Sequence, residues 1–169
     1  DTISWCEDEE YVTSVGTGTP GQIYWGISLL PSQLAGHNYL KSVLLYVPSA
    51  GTYNLKVYSG GTTAPLNQTH MQSATFTNSQ VGWQEIILNN SYTINQTQTL
   101  WITFSSTDVG YPASSCNYVN SLNSDWASLD GISWDHLQNI SSTLPYSWLI
   151  KAVTKLRSEE RRVGKECRS

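Results

Sequence analysis

Thr52-Tyr-Asn-Leu-Lys-Val-Tyr-Ser-Gly-Gly61 decides the fold. Tyr53, Leu55 and Val57 alternate with Thr52, Asn54, Lys56 and Tyr58, and the run ends in a segment rich in Gly, Thr and Pro. A period of two with aromatic and β-branched enrichment marks a half-buried strand, because successive side chains of a pleated chain point to opposite faces. The same alternation returns elsewhere. Leu100, Ile102 and Phe104 alternate with Trp101, Thr103 and Ser105, and Trp148, Ile150 and Ala152 with Leu149, Lys151 and Val153.

Working outward, the pattern predicts further strands near 23–29, 40–47, 68–77, 83–88 and 125–135. Between the strands lie residues 16–21, 48–51, 59–65, 89–91 and 108–115, which carry the Gly, Pro, Asn, Asp and Ser that turns demand. A single helical turn is expected at 31–35, stopped by Gly36. Eight or more short strands without a crossover helix predict an all-β fold, an antiparallel two-sheet β-sandwich of the jelly-roll kind. Asp130-Gly131 has the chemistry of a two-residue hairpin turn. Pairing outward from it sets Leu129 opposite Ile132, Ala127 opposite Trp134 and Trp126 opposite Asp135. That register puts Ala127, Leu129, Ile132 and Trp134 on a core face, and Trp126, Ser128, Ser133 and Asp135 on a polar one. The run Ser128-Leu-Asp-Gly-Ile-Ser-Trp134 also resembles the Asp-box hairpin of sialidases and surface proteins, with one residue fewer before the glycine.

The composition breaks sharply at residue 157. All four arginines lie in 157–169, and the 156 residues before them contain none. The string reads as an in-frame translation of a sequencing-library adapter, so 157–169 is expected to be an artefactual tail and is set aside. On this reading 1–156 is one β-sandwich module from a longer polypeptide, extending beyond both ends. Nine basic residues less five in the tail leave Lys41, Lys56, Lys151 and Lys155, against ten acidic residues. Charged residues thus make up about a third of the usual share. Four scattered lysines form no basic stripe, which argues against nucleic acid as a partner. No apolar run approaches the ~20 residues of a membrane span.

Cys6 and Cys116 are an even pair in a chain of extracellular character. A disulfide between them is expected, the alternative being two separate buried thiols. No HExxH motif, nucleophile elbow or phosphate-binding glycine loop occurs, and His37, His70 and His136 stand apart in the sequence. Carboxylates are the only chemical material. A glycosidase needs two of them across a cleft, whereas turn, strand-edge and solvated-loop roles account for those present. If the disulfide forms, Glu7 and Asp8 lie beside the 108–118 loop, and Glu7, Asp8, Asp108 and Asn117 become candidate ligands for calcium, which favours oxygen donors. Trp126, Trp101 and Tyr58 fall on the polar side of their strands. With Asp135 they are candidate ligand-binding residues, since aromatic rings stack on the apolar faces of sugars and also anchor protein contacts. Burial under a loop is the competing role. Asn67-Gln-Thr69, Asn89-Asn-Ser91, Asn95-Gln-Thr97 and Asn139-Ile-Ser141 are formal glycosylation sequons.

Several segments together carry a family resemblance: Tyr24-Trp-Gly-Ile27, Tyr53 to Pro65, Leu100-Trp-Ile-Thr-Phe104, Tyr111 to Tyr118, Asp125 to Trp134 and Tyr146-Ser-Trp-Leu-Ile-Lys-Ala152. They resemble jelly-roll modules of large secreted Bacteroidota proteins, broadly like the cleaved-adhesin domains of gingipain-type haemagglutinins. The resemblance implies a non-catalytic extracellular or cell-surface module that supports adhesion or binding by a longer polypeptide, with a glycan or protein ligand. A carbohydrate-binding module attached to a hydrolase and a fragment of a glycoside hydrolase or peptidase are the alternatives.

Overall fold

The computed structural model describes residues 1–66 and 72–156. The sequon at Asn67, the start of the strand expected at 68–77, and the 157–169 tail fall outside the described residues. Among the described residues, thirteen strands and two short helices follow one another. They are β1 (Thr2–Ser4), β2 (Thr13–Val15), β3 (Tyr24–Leu29), α1 (Pro31–Leu34), β4 (Tyr39–Val47), β5 (Gly51–Ser59), β6 (Gln72–Asn78) and β7 (Gly82–Thr93). After these come β8 (Leu100–Ser106), β9 (Ala113–Asn117), β10 (Trp126–Ser128), β11 (Asp135–His136), α2 (Leu137–Ile140), β12 (Tyr146–Trp148) and β13 (Ile150–Lys155).

The protein is an all-β, antiparallel β-sandwich. A four-stranded sheet of order β1-β13-β4-β7 faces a six-stranded sheet of order β11-β10-β3-β8-β5-β6. A smaller sheet, β12-β9-β2, adjoins them. Register explains the core. Trp25, Phe104 and Leu55 stand in one row across β3, β8 and β5, and Ile27, Ile102 and Val57 in the next. Both rows are buried in one cluster with Val43, Leu45, Ile86, Leu88, Ile150 and Ala152 of the opposing sheet. The expected helical turn is α1, where the Gln33 side chain accepts the Leu30 N–H at 2.9 Å.

The strand read through Trp148 and Ile150 is in fact two. β12 pairs with β9 and β13 with β4, so the chain changes sheets at Leu149. Leu149 lies on the polar side of the expected alternation yet is buried, because it packs on Cys6 and Cys116. Those two cysteines form the disulfide, across 110 residues of sequence. It ties the segment after β1 to β9, and thus the four-stranded sheet to the small one.

The hairpin register also differs from expectation. Trp126 pairs with His136 and Ala127 with Asp135, one residue away from the register that a two-residue turn imposes. The shift moves the returning segment by one residue relative to β10, which exchanges the faces expected for its side chains. Leu129 and Ile132, expected in the core, are 60% and 55% exposed, whereas β10 keeps its faces: Ala127 is in the main core and Trp126 is on the outward face, where packing against Trp101 and His136 leaves it 4% exposed. The physical cause is a longer loop, 129–134, built on side-chain hydrogen bonds rather than on strand pairing.

Removing the cross-link tests the fold. Closing a loop this long stabilises a chain by about 4–5 kcal/mol in the chain-entropy model, with measured values commonly lower. A Cys6→Ala, Cys116→Ala double variant is expected to lose about 3–5 kcal/mol in urea unfolding, and reductant should no longer affect it.

Candidate functional site

The face of the six-stranded sheet turned away from the core carries its own pattern. Register places Ser28, Trp101 and Tyr58 in one row, Gly26, Thr103 and Lys56 in the next, and Tyr24, Ser105 and Asn54 in the third. β10 extends these rows, with Trp126 opposite Gly26 and Ser128 opposite Tyr24. Gly26 is required here, since an added Cβ would come within 2.5 Å of the Ile102 carbonyl oxygen.

Trp101, Trp126 and Tyr58 form a buried cluster on this outer face, with Trp134 packed against it. The Trp101 and Trp126 rings lie 4.9 Å apart between centroids, and Trp134 lies 6.1 Å from Trp101. Both buried indoles are satisfied. Trp101 N–H donates to the Gly61 carbonyl at 2.9 Å, and Trp126 N–H donates to Ser28 Oγ at 2.8 Å. Trp101 is fully buried. Neither indole therefore presents an open ring face to solvent.

The 129–134 loop provides the cover. Ser128 Oγ donates to Asp130 Oδ1 at 3.0 Å and accepts the Gly131 N–H at 2.8 Å. Asp130 Oδ1 also accepts the N–H groups of Ile132 and Ser133, each at 2.8 Å. These bonds hold the Asp130 carboxyl below its ordinary range, the Ser133 amide contributing most. Gly131 has φ +76° and rests on Tyr24, where an added Cβ would sit 3.2 Å from the ring. Asp135 accepts from Asn139 Nδ2 at 2.8 Å and from the His136 N–H, and its carboxyl is likewise lowered, chiefly by Asn139. Beneath the loop, Asp125 is buried and 3.0 Å from His136 Nδ1, and the His136 ring lies over Trp126 at 4.3 Å. Burial raises the Asp125 carboxyl, and the His136 hydrogen bond opposes that.

Where the loop tip meets the sheet, a pocket of about 230 Å³ opens. Tyr24, Tyr58 and Trp134 form its aromatic walls, Asn54, Lys56, Thr103 and Ser105 its floor, and Asp130 to Ile132 its rim. A shallower hollow on the far side of the loop is lined by Leu129, Asp130, Trp134, Asp135 and Ile140, among others.

Of the residues singled out from the sequence, Tyr58 lines the first pocket, Asp135 lines the hollow, and Trp101 and Trp126 lie beneath as support. The residues that sequence reasoning missed are Tyr24, Asn54, Ser105 and Trp134. The first three were legible as outward positions of strands, but only register makes them neighbours. Of the candidate calcium ligands, Asn117 is exposed at the end of β9, next to Cys116. Asp108 Oδ1 accepts the Thr52 N–H at 2.8 Å, and Glu7 and Asp8 are exposed beside Cys6. Among the described residues, no three His, Cys, Asp or Glu side chains gather closely enough to hold a metal ion. No described helix is long and apolar enough to cross a membrane.

No protein-family model and no curated protein matches the chain. Among solved structures, it is similar to one of the cysteine protease and lectin-like domains of Cwp84, a surface layer associated protein of Clostridium difficile. The TM-score is 0.62 at 14% identity, over 79% of this chain and 32% of that one. A second structure, of the clostridial cysteine protease Cwp84 after propeptide cleavage, gives 0.62 at 11% identity, over 92% of this chain and 40% of that one. The chain thus spans well under half the length of either, and the likeness is one of fold.

Asp130 and Asp135 have lowered carboxyls, so their contribution to stability is present above the ordinary value of 3.8 and is lost as pH falls through their folded values. Acidification through that range is expected to loosen the 129–134 loop before the sheets unfold, read as a change in tryptophan emission ahead of the far-ultraviolet circular dichroism transition. In Asp130→Ala the emission change should already be present near neutral pH.

Proposed function

We propose that the chain is a non-catalytic binding module of a larger extracellular or surface-attached polypeptide, and that its ligand is a glycan held in the pocket between Tyr24 and the 129–134 loop. The observation that carries this reading is the composition of that pocket. Three aromatic walls surround a floor of one amide, one ammonium and two hydroxyl side chains, which is what a sugar ring with apolar C–H faces and a polar perimeter requires. The fold likeness to a surface layer associated protein that contains a lectin-like domain supports it. So do the scarcity of charge and the disulfide, which suit an oxidising exterior. The gingipain-type resemblance points the same way and rests on the residues that carry it.

Two observations favour binding over hydrolysis. A glycosidase keeps one carboxylic acid protonated by raising its pKa. Asp130, the acid on the pocket rim, is instead held ionised by the N–H groups of its own loop. Asp125, whose carboxyl is raised, is buried against His136 beneath Trp126 and lines neither concavity. Neighbouring domains of the same polypeptide are the other expected partners.

Filling the pocket tests the reading. Ser105→Trp places an indole on the outward row between Tyr24 and Asn54. Retention of the labelled chain on immobilised polysaccharides and glycoproteins is expected to fall at least about tenfold in this variant, with its circular dichroism unchanged; one lost contact of about 1.4 kcal/mol suffices for that factor. Equal retention of wild type and variant, or retention of neither, would sink the proposal.

A further inference from the structure

The pocket is narrower in its chemistry than the word glycan conveys. At about 230 Å³ it falls below the range of roughly 300–1,000 Å³ that holds drug-sized ligands, so it has room for one ring rather than an oligomer. One end is shut. Gly131 lies against the Tyr24 ring, and the rim from Asp130 to Ile132 stands over the sheet there. A polymer offers a pocket of that size a single unit, at an end or at a branch.

Among the described residues, the polar groups that line the pocket divide into donors and acceptors. Asn54 Oδ1 accepts from Thr75 Oγ1 at 3.0 Å, which leaves the Asn54 amide N–H groups as donors. Thr103 Oγ1 donates to the Lys56 carbonyl at 3.1 Å, which leaves that oxygen as an acceptor. The Lys56 ammonium has no ion-pair partner among the described residues. Asp130 takes all its bonds at Oδ1, from Ser128, Ile132 and Ser133, which leaves Oδ2 as an acceptor. Ser105 adds a hydroxyl that both donates and accepts. The set is mixed, as vicinal hydroxyls require, each of them donating one bond and accepting others.

Charge decides between neutral and acidic sugars. Among the described residues that line the pocket, one is a cation, Lys56, and one an anion, Asp130. A ligand carboxylate drawn to Lys56 would share the pocket with Asp130, in a chain whose formal net charge is already -4. Hydroxyls meet no such penalty, since they donate to Asp130 and accept from Lys56.

We infer that the pocket takes a single neutral pyranose unit, the free end or a side branch of a glycan, with its hydroxyls on Asn54, Lys56 and Asp130 between aromatic walls. This rests on the glycan reading above and narrows it.

The test is an array presenting the full chain with neutral chain ends, chains ended by uronic or sialic acid, and cyclic oligosaccharides that have no end. Wild type, Asn54→Ala, Lys56→Met and Ser105→Trp are compared at low and high salt. Retention on neutral ends is expected to be insensitive to salt, to weaken about tenfold in Asn54→Ala and in Lys56→Met, and to vanish in Ser105→Trp; cyclic sugars should not be retained. Asn54 and Lys56 point away from the core, and saturation-transfer NMR on the wild type reads the bound sugar protons independently of any variant. Preference for acidic ends, or equal retention of cyclic sugars, with loss in Ser105→Trp would overturn the inference and leave the glycan reading standing. Retention of no sugar, or retention untouched by Ser105→Trp, would overturn both.

Discussion

Trp101 stands in the middle of the six-stranded sheet with its side chain on the face turned away from the core, and it is fully buried. An indole at such a position has to be covered, because its apolar area contributes at about 25 cal/mol per Å² only when water is removed. The outer surface of the sheet follows from this constraint. Tyr58 flanks Trp101 across β5. Trp126 reaches it from β10, with its N–H on Ser28, and Trp134 closes over from the loop. The loop that brings Trp134 into place also sets its tip on Tyr24, and the pocket is the space left between tip and sheet.

The sandwich behind this face is fastened by means other than charge. Among the described residues the single contact of a carboxylate with a basic side chain is that of Asp125 with His136. Ser and Thr hydroxyls do the polar work instead. Ser106 bridges Thr52 and Asp108, and Ser124 and Ser147 bond each other at 2.8 Å in the interior. Hydroxyls tolerate burial when each finds a partner, at far lower desolvation cost than ions. The Cys6–Cys116 bridge adds a covalent tie between sheets that are held otherwise by such bonds and by packing.

The central strands were readable because period two is local. Each of β5 and β8 has one face buried in the main core and one that is not, and the alternation reports that directly. The short strands β1, β2, β9, β11 and β12 carry too few residues for a period to show. Asp130-Gly131 misled for a specific reason. Asp-Gly suits a two-residue turn, but the Ser128 hydroxyl and the Asp130 carboxylate offer the loop N–H groups a competing set of partners. Those bonds win, the loop lengthens, and the register moves by one.

By itself the sequence determined the fold class, the separation of inward from outward residues on β5 and β8, and the even cysteine pair. Those follow from side-chain periodicity and composition, which a single strand already expresses. Tertiary structure alone decided which outward residues meet. Tyr24, Asn54, Lys56 and Ser105 come from three strands and become a pocket floor and wall only through register. Trp134 becomes a wall only because a loop folds back over a buried indole. The reason is physical: register and loop closure are set by contacts between residues far apart in the chain, and a local pattern does not carry them.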